Sequence, residues 1–66
     1  MNLKSLEGKR VRLIDVSGKK YEGIVGDYIY PEDNEPEGMA SIILDISKNN
    51  AVEFFEREIR AIDVIG

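Results

Sequence analysis

A glycine inside a predicted strand is the feature that most constrains the fold of this chain. Residues 9–16 alternate charged and apolar side chains before a β-branched run, which predicts a half-buried strand. After a short turn, residues 21–30 predict the strand that returns beside the first one. Gly23 and Gly26 lie within this second strand, where a glycine costs stability and usually marks a bend, a bulge or a close backbone approach. The hairpin therefore predicts a sharply curved strand, as small barrels require.

Three more short strands are predicted after the hairpin. They cover residues 39–46, 51–56 and 59–65, and turn-forming residues separate them. Five short strands at roughly ten-residue spacing predict an all-β fold, a small five-stranded and strongly bent barrel. Residues 1–8 predict one short helical turn that leans on the barrel, because eight residues are too few for a stable free helix.

The length of 66 residues limits the chain to one domain, residues 1–66. A domain of this size buries only about 60% of the surface that its unfolded chain exposes. No cysteine is present for a disulfide, and without cysteine or histidine a structural zinc site is not expected. Close packing and self-association remain as sources of stability, so a homo-oligomer is expected. The N-terminus lacks a signal-peptide core and no apolar run has membrane length, which predicts a cytoplasmic protein with no membrane partner.

The net charge of −4 is unevenly distributed along the chain. Residues 1–20 carry six basic and two acidic side chains, whereas residues 21–58 carry two basic and ten acidic ones. The basic side chains around the first hairpin form a predicted basic patch of Lys9, Arg10, Arg12, Lys19 and Lys20. This patch is either a surface for anions or nucleic acid, or a soluble strand face that complements the acidic remainder. The bipolar charge also suits a head-to-tail contact between proteins.

The composition argues against catalysis. Residues 31–38 combine two prolines, a glycine and four carboxylates, which predicts a solvated acidic loop. The spacing of these carboxylates does not match a calcium-binding loop, so no metal site is predicted. Without histidine or cysteine there is no ordinary nucleophile–base pair, and the glycines form no phosphate-binding motif. The sequence predicts a non-enzymatic protein without a cofactor.

These features together resemble the Sm-like (LSm) family of small five-stranded barrels and, more generally, SH3-like barrels. Residues 8–13, the turn at residues 17–19 and the glycine-bent strand at residues 21–25 resemble the first motif of the family, and residues 57–62 resemble its second motif. The resemblance covers nearly the whole chain. It implies an oligomer, such as a ring, in which the fourth strand of one subunit pairs with the fifth strand of the next. The interface residues then expected are Phe55, Ile59, Ala61 and Ile65.

The same resemblance implies a site for RNA. Ring-forming members of the family bind uridine-rich RNA with an aromatic residue and an Asp-x-x-x-Asn segment after the second strand and an Arg-Gly pair after the fourth. Tyr28 matches the aromatic position and Arg57 the arginine, whereas Glu58 stands at the glycine position. The RNA-binding residues predicted on this basis are Tyr28, Tyr30, Asn34 and Arg57. The function expected is that of a non-enzymatic, self-assembling Sm-like protein that binds RNA through its oligomer. The alternative is an SH3-like protein–protein interaction module without RNA binding, in which the acidic loop and the bipolar charge make the contact.

Overall fold

The computed structural model describes residues 2–66 and has an all-β architecture. The strands are β1 (Arg10–Asp15), β2 (Lys20–Ile29), β3 (Ser41–Ser47), β4 (Asn50–Phe55) and β5 (Ile59–Val64). The remaining regular elements are three 3₁₀ turns at Leu3–Leu6, Pro31–Asp33 and Glu56–Glu58. All strand pairs are antiparallel, and the single sheet has the order β4-β3-β2-β1-β5. The predicted five-stranded, all-β fold is confirmed.

One face of the curved sheet encloses a single core. Every strand contributes apolar side chains to it, and the buried members are Leu3, Val11, Leu13, Val25, Ile42, Leu44, Phe54 and Ile59. They recur at alternate positions because successive side chains of a strand point to opposite faces of the sheet. The ring of Tyr21 packs edge-on against Phe54, with 4.9 Å between the ring centroids. Partly buried apolar side chains pack against the margin of this core: Leu6, Tyr21, Tyr28, Ile46, Val52 and Ile62.

The N-terminal turn is attached to the barrel at its core. Leu3 is buried and Leu6 packs against the core at its margin. The backbone N–H of Gly8 donates to the carbonyl of Val25 at 2.7 Å, which joins the end of the turn to β2. The predicted short helical turn is therefore confirmed for the described residues, as a 3₁₀ turn. The first residue of the predicted range, Met1, lies outside the described residues.

Strand β2 passes very close to strand β3 at its two glycines. A Cβ atom at Gly23 would lie against the backbone carbonyl oxygen of Asp45 and 2.9 Å from its carbonyl carbon. A Cβ atom at Gly26 would instead meet the side-chain carboxylate of Asp45. The close approach predicted for these glycines is present, but only the obstacle at Gly23 is backbone.

A bulge at Gly26 changes the face of the sheet to which the later side chains of β2 point. The register with β3 shifts between Val25 and Asp27. Unbroken alternation would place Tyr28 on the face opposite to the buried Val25. Instead Tyr28 pairs with Ile42 and packs against the core. An extra residue inserted in a strand changes the face to which all later side chains point.

The two glycines give a matched test of the close approach. Neither has a positive φ, so alanine meets no backbone strain at either position. We expect Gly23→Ala to lower the free energy of unfolding by about 1–3 kcal/mol, as overpacking against backbone does. We expect a smaller loss for Gly26→Ala, because the carboxylate of Asp45 can rotate away. Thermal unfolding followed by circular dichroism measures both, and an unchanged Tm for Gly23→Ala would contradict the assigned bend.

Candidate functional site

The loops that carry the predicted RNA-binding residues lie at one side of the sheet, where β2 and β4 end and β3 begins. We call this side the loop end and define it as residues 30–40 and 56–58. Met39 connects its two segments, because the backbone N–H of Arg57 donates to Sδ of Met39 at 3.3 Å. Three of the four predicted residues, Tyr30, Asn34 and Arg57, belong to the loop end, and Tyr28 lies just before it on β2.

Two tyrosines and a lysine form a cluster beside the loop end. The rings of Tyr28 and Tyr30 pack edge to face, with centroids 5.0 Å apart and planes at 80°. Tyr28 is half-buried against the core, whereas Tyr30 is 42% exposed. The Nζ atom of Lys4 lies 5.7 Å from the centroid of the Tyr30 ring. The neighbouring Tyr30 side chain is the main reason why the pKa of Lys4 lies above its ordinary value. Sequence reasoning missed this role of Lys4, because only the docking of the N-terminal turn brings the two residues together.

Asn34 attaches the acidic loop to the sheet. Its Nδ2 atom donates to the carbonyl of Met39 at 2.8 Å and to Oγ of Ser41 at 2.9 Å. The Ser41 side chain is fully buried, and its hydroxyl donates to Oε2 of Glu53 at 2.8 Å. The Asn34 side chain, which the resemblance assigns to RNA, thus binds groups of its own chain. The acidic loop that carries the carboxylates is therefore hydrogen-bonded to the start of β3.

Arg57 and Glu58 shape the corner between β4 and β5. The guanidinium carbon of Arg57 lies 5.1 Å from the centroid of the Phe55 ring, a cation–π contact. The carboxylate of Glu58 accepts a hydrogen bond from the backbone N–H of Phe55 at 2.9 Å. No non-glycine residue within 2–66 has a positive φ, so the backbone of the corner does not require a glycine. Glu58 instead stabilises the corner by capping it.

The predicted basic patch is interrupted by acidic and aromatic neighbours. Arg12 forms an ion pair with Glu22, with 3.1 Å between Nη2 and Oε2, and its register partner on β5 is Asp63. Lys19 lies over the ring of Tyr21, with Nζ 5.3 Å from the centroid. The remaining members are exposed: Lys9, Arg10 and Lys20. This outer face therefore carries charges of both signs rather than a continuous basic surface.

The two edges of the sheet are β4 and β5. Among the predicted interface residues, Phe55 and Ala61 are half-buried and Ile65 is 38% exposed. Ile59 is only 7% exposed and belongs to the core of its own chain, because the first residue of β5 faces inward. Its side chain is therefore not available for a contact with another subunit. Val64, which the sequence reasoning did not single out, is 50% exposed.

The sequence matches no protein-family model, and neither the curated proteins nor the solved structures gave a match. Across residues 2–66, no helical segment is long and apolar enough to cross a membrane. The same residues contain no group of three or more histidine, cysteine, aspartate or glutamate side chains placed to hold a metal ion. Function is therefore inferred from the surface contacts described above.

Asp15 organises the turn between β1 and β2. Its Oδ1 atom accepts hydrogen bonds from the hydroxyl of Ser17 at 2.6 Å, the backbone N–H of Ser17 at 2.9 Å and the backbone N–H of Lys19 at 3.0 Å. These bonds, that of the Ser17 hydroxyl above all, hold the pKa of Asp15 below its ordinary value of 3.8. They favour the ionised carboxylate in the folded state.

We expect this turn to contribute to acid sensitivity. A carboxylate with a lowered pKa stabilises the fold above about pH 4, and the stabilisation is lost as the pH falls through the folded-state pKa. Asp15→Asn should therefore lower the Tm at pH 7 and reduce the difference in Tm between pH 7 and pH 3. The matched control is Asp33→Asn in the acidic loop, which should keep the wild-type difference. Equal acid sensitivity of Asp15→Asn and wild type would contradict the role of this turn.

Proposed function

We propose that this chain is a non-enzymatic Sm-like protein that self-assembles through the two edges of its sheet. The strand order is the observation that carries the proposal, because it leaves β4 and β5 as the edges of a 66-residue domain. An edge strand presents unpaired N–H and C=O groups that can pair with another chain. A domain this small also gains from burying further surface between subunits.

The ladder between β1 and β5 identifies the free groups of the first edge. The N–H of Ile65 donates across this ladder to the carbonyl of Arg10 at 3.0 Å. Alternate residues of an antiparallel strand direct their N–H groups to opposite sides. The N–H groups of Ile62 and Val64 are therefore directed away from β1. This outer side of β5 is suited to accept the edge of another subunit.

The ladder between β3 and β4 gives the second edge. The N–H of Glu56 donates to the carbonyl of Ala40 at 3.0 Å, so the N–H of Phe55 points away from β3. Glu58 caps that amide, whereas the next outward amide, that of Glu53, lies further along β4. The free part of β4 is therefore its central part. A short pairing with β5 of a neighbouring copy fits these two edges.

A proline on the edge tests this mode of assembly. Val64→Pro removes an outward N–H but no N–H that bonds to β1, so we expect the fold to persist while the assembly dissociates. The control Val64→Ala keeps the amide and shortens the side chain, and it should assemble better than Val64→Pro. Light scattering on a sizing column gives the native mass of each. A monomeric wild type, or an assembly of unchanged mass with Val64→Pro, would contradict the proposal.

RNA is the ligand we propose for the assembled form, with Tyr30 as a stacking surface and Arg57 as a phosphate contact. Both lie at the loop end, and a ring would repeat them in every subunit. Fluorescence anisotropy with labelled oligouridine tests this. We expect Arg57→Gln to weaken binding and reduce the salt dependence by about one phosphate contact, while Lys48→Gln, which removes an equal charge from the turn between β3 and β4, leaves both unchanged. Absence of oligouridine binding at low salt would exclude RNA.

The second candidate function is that of a protein–protein interaction module on an SH3-like barrel. The attachment of the acidic loop by Asn34 favours this second function, because the loop that carries four carboxylates is hydrogen-bonded to the sheet. Such a surface is complementary to a basic partner and repels phosphate. Binding of a basic protein together with indifference to oligouridine would separate this function from the first.

A further inference from the structure

The aromatic cluster of Tyr28 and Tyr30 beside the loop end is suited to bind a positively charged side chain. The ring of Tyr30 is 42% exposed, and Tyr28 supports it edge-on at 5.0 Å between centroids. The ammonium group of Lys4 lies 5.7 Å from the centre of the Tyr30 ring. An ammonium group at this distance is attracted by the negative face of an aromatic ring. The chain's own lysine thus marks where a cation is stabilised. We call the rings of Tyr28 and Tyr30 the cation seat.

Charges around the seat favour a cation over an anion. The side chain of Tyr30 and, to a lesser extent, the carboxylate of Glu7 raise the pKa of Lys4, so both favour its charged ammonium group. The segment from residue 21 to residue 58 has a net charge of −8, from two basic and ten acidic side chains. A segment of this charge repels a phosphate backbone and attracts a basic peptide.

We propose that the cation seat binds a lysine side chain of a partner protein, and that Lys4 occupies the seat until the partner displaces it. This inference rests on the second candidate function and names the chemistry that the partner presents. Lys4 lies on a single 3₁₀ turn held by Leu3 and Leu6, so its side chain can leave the seat without disturbing the packing of that turn. The seat uses no residue of β4 or β5, so it is independent of assembly through the edges.

Substitution of Lys4 tests whether it competes with the partner. The probe is a blocked glycine–lysine–glycine tripeptide, and the control peptide carries uncharged norleucine in place of lysine. The ring resonances of Tyr30 in NMR spectra report binding. We expect Lys4→Met, which keeps the aliphatic stem, to bind the lysine peptide about two- to fivefold more tightly than wild type, as loss of an exposed cation–π competitor implies. The matched control is Lys48→Met, which removes an equal charge from the turn between β3 and β4 and should bind like wild type. Tyr30→Leu should abolish binding, and Tyr30→Phe should retain most of it.

Displacement can also be followed in the unsubstituted protein. We expect ring-current shifts for the protons of the Lys4 side chain near the Tyr30 ring. These shifts should move towards free-lysine values as the peptide is added. Three results would overturn the inference: no difference between Lys4→Met and Lys48→Met, peptide binding that survives Tyr30→Leu, or resonances of Lys4 that do not move during peptide binding. Binding that survives Tyr30→Leu but is lost when the acidic loop is neutralised would leave the interaction module standing without this seat. Displacement of Lys4 by oligouridine rather than by the peptide would overturn the inference in favour of RNA.

Discussion

The close approach of β2 and β3 at Gly23 is the constraint on which the rest of the structure depends. Strand β2 pairs with β1 along residues 20–24 and with β3 along residues 24–29, so one strand serves both halves of the sheet. It can do so around one small core only by bending where the halves meet. The backbone of Asp45 occupies the space that a side chain at Gly23 would need. Because Gly23 has only a hydrogen atom in place of a side chain, β2 can approach β3 at this point. One sheet of five short strands can then enclose the core with a single face.

Much of this fold could be predicted from the sequence because its signals are local. Alternation and turn residues locate all five strands, and the glycines of β2 locate the bend. The face of Tyr28 could not be predicted, because it depends on a bulge that forms only against β3. The burial of Ile59 depends in the same way on how the corner directs β5 into the core. The contact of Lys4 with Tyr30 joins distant parts of the chain and has no sequence pattern.

Two side chains of the loop end make contacts that the sequence pattern did not indicate. Asn34 uses its side-chain N–H groups to hold the acidic loop on Ser41 and Met39, so a group suited to recognise a base instead positions carboxylates. The carboxylate of Glu58 caps the amide of Phe55. Both contacts stabilise the chain locally, and both add or fix negative charge at the loop end.

Glu58 also connects the loop end with the edge of the sheet. The carboxylate of Glu58 accepts a hydrogen bond from the outward N–H of Phe55. This last amide of β4 is therefore not free to pair with a strand of another subunit. An edge protected at one end can pair in fewer registers than an open one, because a slipped partner would have to displace a charged cap. On β5, the exposed side chain of Val64 lies beside the outward amide of the same residue. Strand β4 is thus capped at one end, whereas β5 is uncapped and carries an exposed apolar side chain. Because the two edges differ, head-to-tail contact between them is favoured over pairing of two identical edges. Such a contact closes into a ring when its rotation divides a full turn.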